Sequence, residues 1–379
     1  MTAVVADQRA HRPNRAAVGW WLLAVALLVA AMVTLGGLTR LTGSGLSITQ
    51  WQPVTGIVPP LSEQAWDAEF ARYRQIPQYR LENRGMNLPA FQSIYWWEWT
   101  HRFLGRLLAV AFLLPFVFFA ATGAIPRRAW PRMLVLFLLG GLQGFVGWWM
   151  VESGLETRVS VSQYRLAIHL GVALLLFGAL LWTALECLRA PFPPPCVEEV
   201  PTPALGGERG RTTSFAGRGG KLFAASLALT VLIYLQMLLG AIVAGLHAGL
   251  IYNTWPSMDG SAFPEGAFVL HSWWANFFEN PGLAQFDHRI GAYLVAIGAV
   301  ALWFAVRRIK PDRALRASSN ALAATVLVQI ILGIAILLQQ APLPLAALHQ
   351  ATAVALFAAA LWNAFELCRP RTAQLAASA

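Results

Sequence analysis

The 379-residue chain predicts an all-α integral membrane protein, with eight transmembrane helices forming two tandem, pseudo-twofold-related four-helix bundles. Three observations carry this. Hydrophobic residues make up 57% of the chain and charged residues 12%, where ordinary soluble domains carry about a quarter charged. Eight apolar runs approach the roughly 20 residues needed to cross a bilayer. The second half of the chain then repeats features of the first.

The runs fall at about 18–39, 103–121, 133–151, 166–188, 222–246, 289–306, 319–338 and 345–367. Each is continuous, not alternating, which selects helices over a closed barrel. Residues 1–17 read as a cytoplasmic tail with no cleavable-signal pattern. The N-terminal four-helix half covers 18–189, and a Pro-, Gly- and Arg-rich cytoplasmic linker covers 190–220. The C-terminal half covers 221–369, and 370–379 form a second cytoplasmic tail. The external loop at about 41–94 is long, and Ser62 to Arg74 within it has helical periodicity. The loop at 247–286 has no Lys or Arg and carries Trp255, Trp273 and Trp274. External loops of this length usually act as lids or binding loops.

The repeat is visible helix by helix. First helices align with an offset of 204, pairing Gly45 with Gly249 and Trp51 with Trp255. Third helices pair Gln143 with Gln329, and fourth helices pair Trp182, Glu186 and Arg189 with Trp362, Glu366 and Arg369. Four helices per half is an even number, so the halves share one orientation, as in a parallel duplication.

The net charge of +10 does not indicate nucleic acid, because of where the charge lies. With both termini on one side, that side holds 18 of the 28 Lys and Arg residues, from Arg9 to Arg371. The opposite loops hold Arg72, Arg74, Arg80, Arg84, Arg158 and Arg165. The positive-inside bias therefore places both termini in the cytoplasm, and a bacterial plasma (inner) membrane is the simplest location. Cys187, Cys196 and Cys368 fall on the same side, where a reducing compartment and an odd count argue against a disulfide framework.

Four histidines then stand out, because ionisable groups within apolar spans default to functional candidates. His101 and His288, 187 positions apart, open the second helix of each half in EWTHRFLG and QFDHRIGA. His169 and His349, 180 apart, open the fourth. All four begin helices that run inward, so they cluster toward the external face. Two imidazoles aimed at one bundle axis suit the axial positions of a haem iron. A single histidine near a helix end is more often an interfacial hydrogen-bonding residue; recurrence in both halves favours ligands. Zinc fits less well, since catalytic zinc wants three protein ligands. Arg102 and Arg289 directly follow two of the ligand candidates and suit paired carboxylates such as haem propionates, or else snorkel to the interface. His11, His247 and His271 lack duplicated counterparts.

One position breaks the repeat chemically. Glu98 precedes His101 by three residues, and its counterpart is Gln285, a near isostere that cannot ionise. A carboxylate beside a haem edge could accept a proton or stabilise developing charge, or simply pair with Arg102. Such a difference suits one reactive and one supporting site.

These residues together resemble the haem A synthase family. The likeness covers nearly the whole chain: GGLTRLTGSGLSITQWQPVTGIVPP from Gly36, EWTHRFLGR from Glu98, FDHRIGAY from Phe286, and one histidine in each of RLAIHLG and AALHQAT. It implies oxidation of the C8 methyl of haem O to the formyl group of haem A, for use in terminal oxidases. It implies a haem b cofactor held by His288 and His349, with Arg289 beside it. The substrate haem would then sit between His101 and His169, with Arg102 beside it and Glu98 as the catalytic residue. Some bacterial members carry paired cysteines in the external loops; this chain has none there, so a thiol role does not transfer.

Two other classes compete. A dihaem b-type transmembrane electron-transfer cytochrome would show a similar histidine pattern, with Glu98 incidental. A transporter would also show repeats, but no midplane charged pair is present. Expected partners are the haem O substrate and membrane lipid. Haem O synthase and cytochrome oxidase assembly factors make biological sense without a motif to show them, and exposed helix faces leave room for a homo-oligomer. No nucleic acid is expected.

Overall fold

The computed structural model describes residues 12–156, 158–189 and 218–369. The described residues are helical throughout their main elements and form no strand beyond one isolated bridge, Met258 with Ser261. In chain order the helices are α1 (Arg12–Leu41), α2 (Glu63–Tyr73), α3 (Pro77–Leu81), α4 (Leu88–Ala121), α5 (Trp130–Leu155) and α6 (Gln163–Arg189). They continue with α7 (Arg218–Gly245), α8 (Asn276–Glu279), α9 (Pro281–Arg307), α10 (Arg313–Leu338) and α11 (Leu343–Cys368). Eight of these, α1, α4, α5, α6, α7, α9, α10 and α11, are long and apolar enough to cross a membrane.

Two helices begin well before the expected spans, and their caps explain why. Asn87 accepts a hydrogen bond from Ala90 N, and Pro89 occupies the first turn of α4. Asn280 accepts from Gly282 N and Leu283 N, with Pro281 opening α9. His101 therefore lies 13 residues into α4 and His288 seven into α9, not at the helix starts. The apolar run marks the membrane portion; the capped, aromatic-rich extension carries the helix past it. α1 begins at Arg12, within the segment expected as the first tail. The expected linker lies outside the described residues, except that 218–220 open α7, and the tail at 370–379 lies outside them entirely.

Within the first half α1 packs on α4 and α6, and α5 packs on α6 and, more sparsely, on α4. In the second, α7 packs on α9 and α11, and α10 on α9 and α11. Across the halves α6 meets α7, while α11 meets α1 and α6. One buried apolar cluster runs through both halves, from Val18, Leu22 and Leu174 to Val306, Leu322 and Phe357.

The first long loop folds as its pattern predicts. Ser62 caps α2, and Phe70, Tyr73, Phe91, Tyr95 and Leu46 form a second buried cluster beside the N-terminal part of α4. The second loop is braced by Asn276, fully buried and bonded to both Leu270 N and Leu270 O, and by Asn280, which donates to Gly266 O. Cys187 is a free thiol, whereas Cys368 is disulfide-bonded, which corrects the expectation of unpaired cysteines. An odd count leaves room for one pair.

Candidate functional site: two paired imidazoles

The structure brings the histidines together in the expected couples. His101 on α4 lies within electrostatic reach of His169 on α6, and His288 on α9 within reach of His349 on α11. Each residue as a whole is only partly buried.

Four glycines make these ring positions available. A Cβ on Gly36 of α1 would lie 2.9 Å from His101 Cε1, and one on Gly147 of α5 would lie 2.8 Å from His169 Cε1. In the second half, a Cβ on Gly240 of α7 or on Gly333 of α10 would lie 3.1 Å or 3.3 Å from the Cε1 atom of His288 or His349 respectively. Gly36 and Gly240 share the 204 offset, and Gly147 and Gly333 share the 186 offset of Gln143 and Gln329. Each imidazole thus lies flush against a neighbouring helix backbone that has no side chain there. The sequence signal was present in the repeat, but glycine is common in membrane helices and attracted no functional reading.

Glutamines hold three of the rings. Gln143 Nε2 is 3.3 Å from His169 Nε2, and Gln329 Nε2 is 3.2 Å from His349 Nε2. Gln236 Nε2 donates to His288 O at 2.7 Å and lies 3.0 Å from His288 Nδ1. The residue equivalent to Gln236 in the first half is Met32, and His101 Nδ1 is buried without a partner. Sequence reasoning paired Gln143 with Gln329 but missed Gln236.

Glu98 is 3% exposed and fully engaged. Its Oε2 accepts from Ser47 Oγ and Ile48 N, both at 2.8 Å, and its Oε1 accepts from Arg102 Nη2 at 2.6 Å and Nε at 3.1 Å. Arg102 also donates to Ile48 O and Gln50 O, so carboxylate and guanidinium together tie the first loop to α4. The second half repeats the tie with weaker chemistry. Arg289 donates to Tyr252 O, the counterpart of Ile48 O, and to Gln285 Oε1 at 3.4 Å, while Gln285 Nε2 donates to Tyr252 O. Both arginines are thus bound to their own loops.

These residues fit a porphyrin iron. The Nδ1 atoms of His101, His169 and His349 are buried and unpartnered, as are Oε1 of Gln143, Gln236 and Gln329. Such orphaned atoms are costly unless a ligand changes their surroundings. Among the described residues no group of three or more His, Cys, Asp or Glu converges to hold a metal ion, whereas a pair of imidazoles is a ligand set that haem iron accepts. A polar cavity of about 310 Å³ lies elsewhere, where the C-terminal end of α5 meets the N-terminal end of α6, lined by Glu152, Glu156, Arg158 and Arg165.

Comparison with known proteins decides the lineage. A family model described as cytochrome oxidase assembly protein, COX15-CtaA, matches residues 19–361. The chain belongs to this family. It is 49% identical over 356 residues to the heme A synthase of Parvibaculum lavamentivorans, covering 94% of this chain and 96% of that protein. It is 45% identical to the heme A synthase of Paracoccus denitrificans, with 92% and 87% covered. Against the heme A synthase of Rhizobium rhizogenes it is 45% identical, with 99% and 96% covered. Membership of the COX15-CtaA family makes the two histidine couples a feature of a cytochrome oxidase assembly protein.

Proposed function

We propose that the protein is a haem A synthase of a bacterial plasma membrane, with both termini cytoplasmic. Its substrate is haem O, and the product carries a formyl group in place of the C8 methyl. The 18–189 half would hold the substrate between His101 and His169, and the 221–369 half a resident haem b between His288 and His349, as pseudo-twofold bundles. The observation that carries this is the Glu98/Gln285 difference between two otherwise matched imidazole sites. When bound, haem b supplies one-electron transfer toward the substrate half.

The chain's own residues do the remainder. Gly36 and Gly147 let the two substrate-side imidazoles approach along the helix backbones, fixing where the porphyrin edge stands. Arg102 and Glu98 hold the segment Ser47–Ile48 against α4, which closes the outer side of the site to water. Glu98 would take up a proton at Oε2 and pass it on as the methyl is oxidised twice, with dioxygen as the external oxidant in each step. One oxygen atom enters the carbon and the other leaves as water with two electrons and two protons, giving an alcohol and then a hydrated aldehyde that loses water. In the form described here Oε2 accepts from Ser47 Oγ, and this bond opens when the proton arrives. Ser47 has Ile251 as its counterpart, so the supporting half lacks both the acid and the hydroxyl.

Pigment extraction tests the reading directly. Cells that make haem O and express this chain should yield haem A together with the alcohol intermediate. Haem b alone would replace the reading with a dihaem electron carrier.

A further inference from the structure

Arg40 is a half-buried cation that no described residue answers. It lies at the outer end of α1, and its Nη2 is buried without a partner. Among the described residues its guanidinium makes no hydrogen bond, ion pair or ring contact. Every other arginine close to the histidines is tied down, as Arg102, Arg106 and Arg289 all donate to loop carbonyls. Leaving a guanidinium uncompensated in an apolar bundle is costly, so such a group normally has a counter-charge.

Its position shows where the counter-charge comes from. Arg40 is four residues beyond Gly36, the glycine that abuts His101, so both lie on one face of α1 about one turn apart. Arg40 is therefore directly outward of a candidate haem ligand. A porphyrin carries its two carboxylates on one edge, and turning that edge outward keeps them out of hydrocarbon. The repeat adds a second, independent observation. The position equivalent to Arg40 is Ala244, although Gly240 keeps its place beside His288. The cation thus belongs to the first site alone. Burial, and then the Arg40 charge itself, hold the nearby His247 imidazole below its ordinary value, so His247 adds no competing positive charge.

We propose that Arg40 is the carboxylate-binding residue of the N-terminal haem site, pairing with a propionate of the substrate porphyrin. This rests on the reading that His101 and His169 hold the substrate. A guanidinium–carboxylate pair is charge-assisted and can be bidentate, so it both anchors the porphyrin and fixes its rotation about the iron–histidine axis. Rotation decides which ring substituent faces Glu98.

The test is a titration of full-length detergent-purified protein, followed by the low-spin Soret band. Haemin and haemin dimethyl ester are the probes, against wild type, Arg40→Leu and Arg40→Lys. Wild type should bind the diester at the vacant site roughly ten- to a hundredfold more weakly than haemin. Arg40→Leu should bind haemin as weakly as wild type binds the diester, with diester binding unchanged, and Arg40→Lys should recover part of the loss. The co-purified haem of the other site should stay at wild-type level in all three. Equal haemin affinity in Arg40→Leu and wild type overturns the proposal. So does equal weakening of haemin and diester, or loss from Arg40→Leu of bound anionic lipid with haemin binding intact. A wild type that takes up no second haem overturns the two-site reading, and the Arg40 proposal with it.

Discussion

Glu98 and Gln285 differ by one isosteric exchange at matched positions, and that makes a clean experiment. Gln285 already shows that an amide can hold the loop, since it donates to Tyr252 O and accepts from Arg289. Glu98→Gln should therefore leave fold and haem content near wild type while removing proton uptake. Haem A output is expected to fall by about 10²- to 10⁴-fold. Full output with normal haem content would assign Glu98 to loop anchoring alone. Gln236 offers the matching experiment at the second site. An amide has a donor and an acceptor at its tip, so it can pair with either imidazole tautomer. A protonated Nδ1 of His288 would need an acceptor, and the buried, unpartnered Gln236 Oε1 can turn to meet it. Partners of this kind typically account for 10- to 100-fold in metal affinity. Gln236→Met, which copies Met32, should release the C-terminal haem correspondingly more easily during chelator or apo-myoglobin challenge.

Helix against helix, the site depends on close approach where glycine replaces a side chain. Small residues let membrane helices pack nearly backbone to backbone. A Cβ at Gly147 would stand 2.8 Å from His169 Cε1, closer than real Cβ contacts occur, whereas one at Gly333 would stand 3.3 Å from His349 Cε1. Gly147→Ala should displace its histidine and abolish low-spin haem at the first site; Gly333→Ala should only broaden the second spectrum. Equal behaviour of the two variants would detach the glycines from ligand placement. Much of this was readable beforehand. The apolar runs located all eight spanning helices, the repeat gave the four histidines, and the periodicity of Ser62 to Arg74 gave α2. What the sequence hid was depth and contact. Caps at Asn87 and Asn280 lengthen α4 and α9 beyond their apolar cores, which hydropathy does not register. Gln236 and Arg40 carry no duplicated partner, so a search for matched pairs passes over them. The repeated Trp182/Glu186 and Trp362/Glu366 pairs proved structural: each tryptophan Nε1 donates at 3.0 Å to the glutamate one turn on, and Arg132 and Arg189 pair with those buried carboxylates.

The two halves work as one body, because their contacts interlock next to the histidines. Gln350, the residue after His349, crosses to α1 and donates to Val33 O at 2.6 Å. Its side chain fills the space over Gly37, the neighbour of Gly36, where a Cβ would overlap Gln350 Oε1. At the other end Arg189 of α6 pairs with Glu366 of α11, which is 1% exposed. The interface therefore runs from one histidine couple to the helix backing the other. Gly37→Ala must push Gln350 out of its slot, and overpacking of this kind costs about 1–3 kcal/mol. Gln350→Ala loses a single hydrogen bond, about 0.5–1.5 kcal/mol, and leaves space where the amide was. The double variant Gly37→Ala/Gln350→Ala should then be no less stable than Gln350→Ala alone, since the added methyl meets an empty slot. Thermal unfolding of the purified protein measures all three, and the coupling energy isolates the contact between them. Additive losses would mean that Gly37 and Gln350 act separately and that the halves are joined elsewhere.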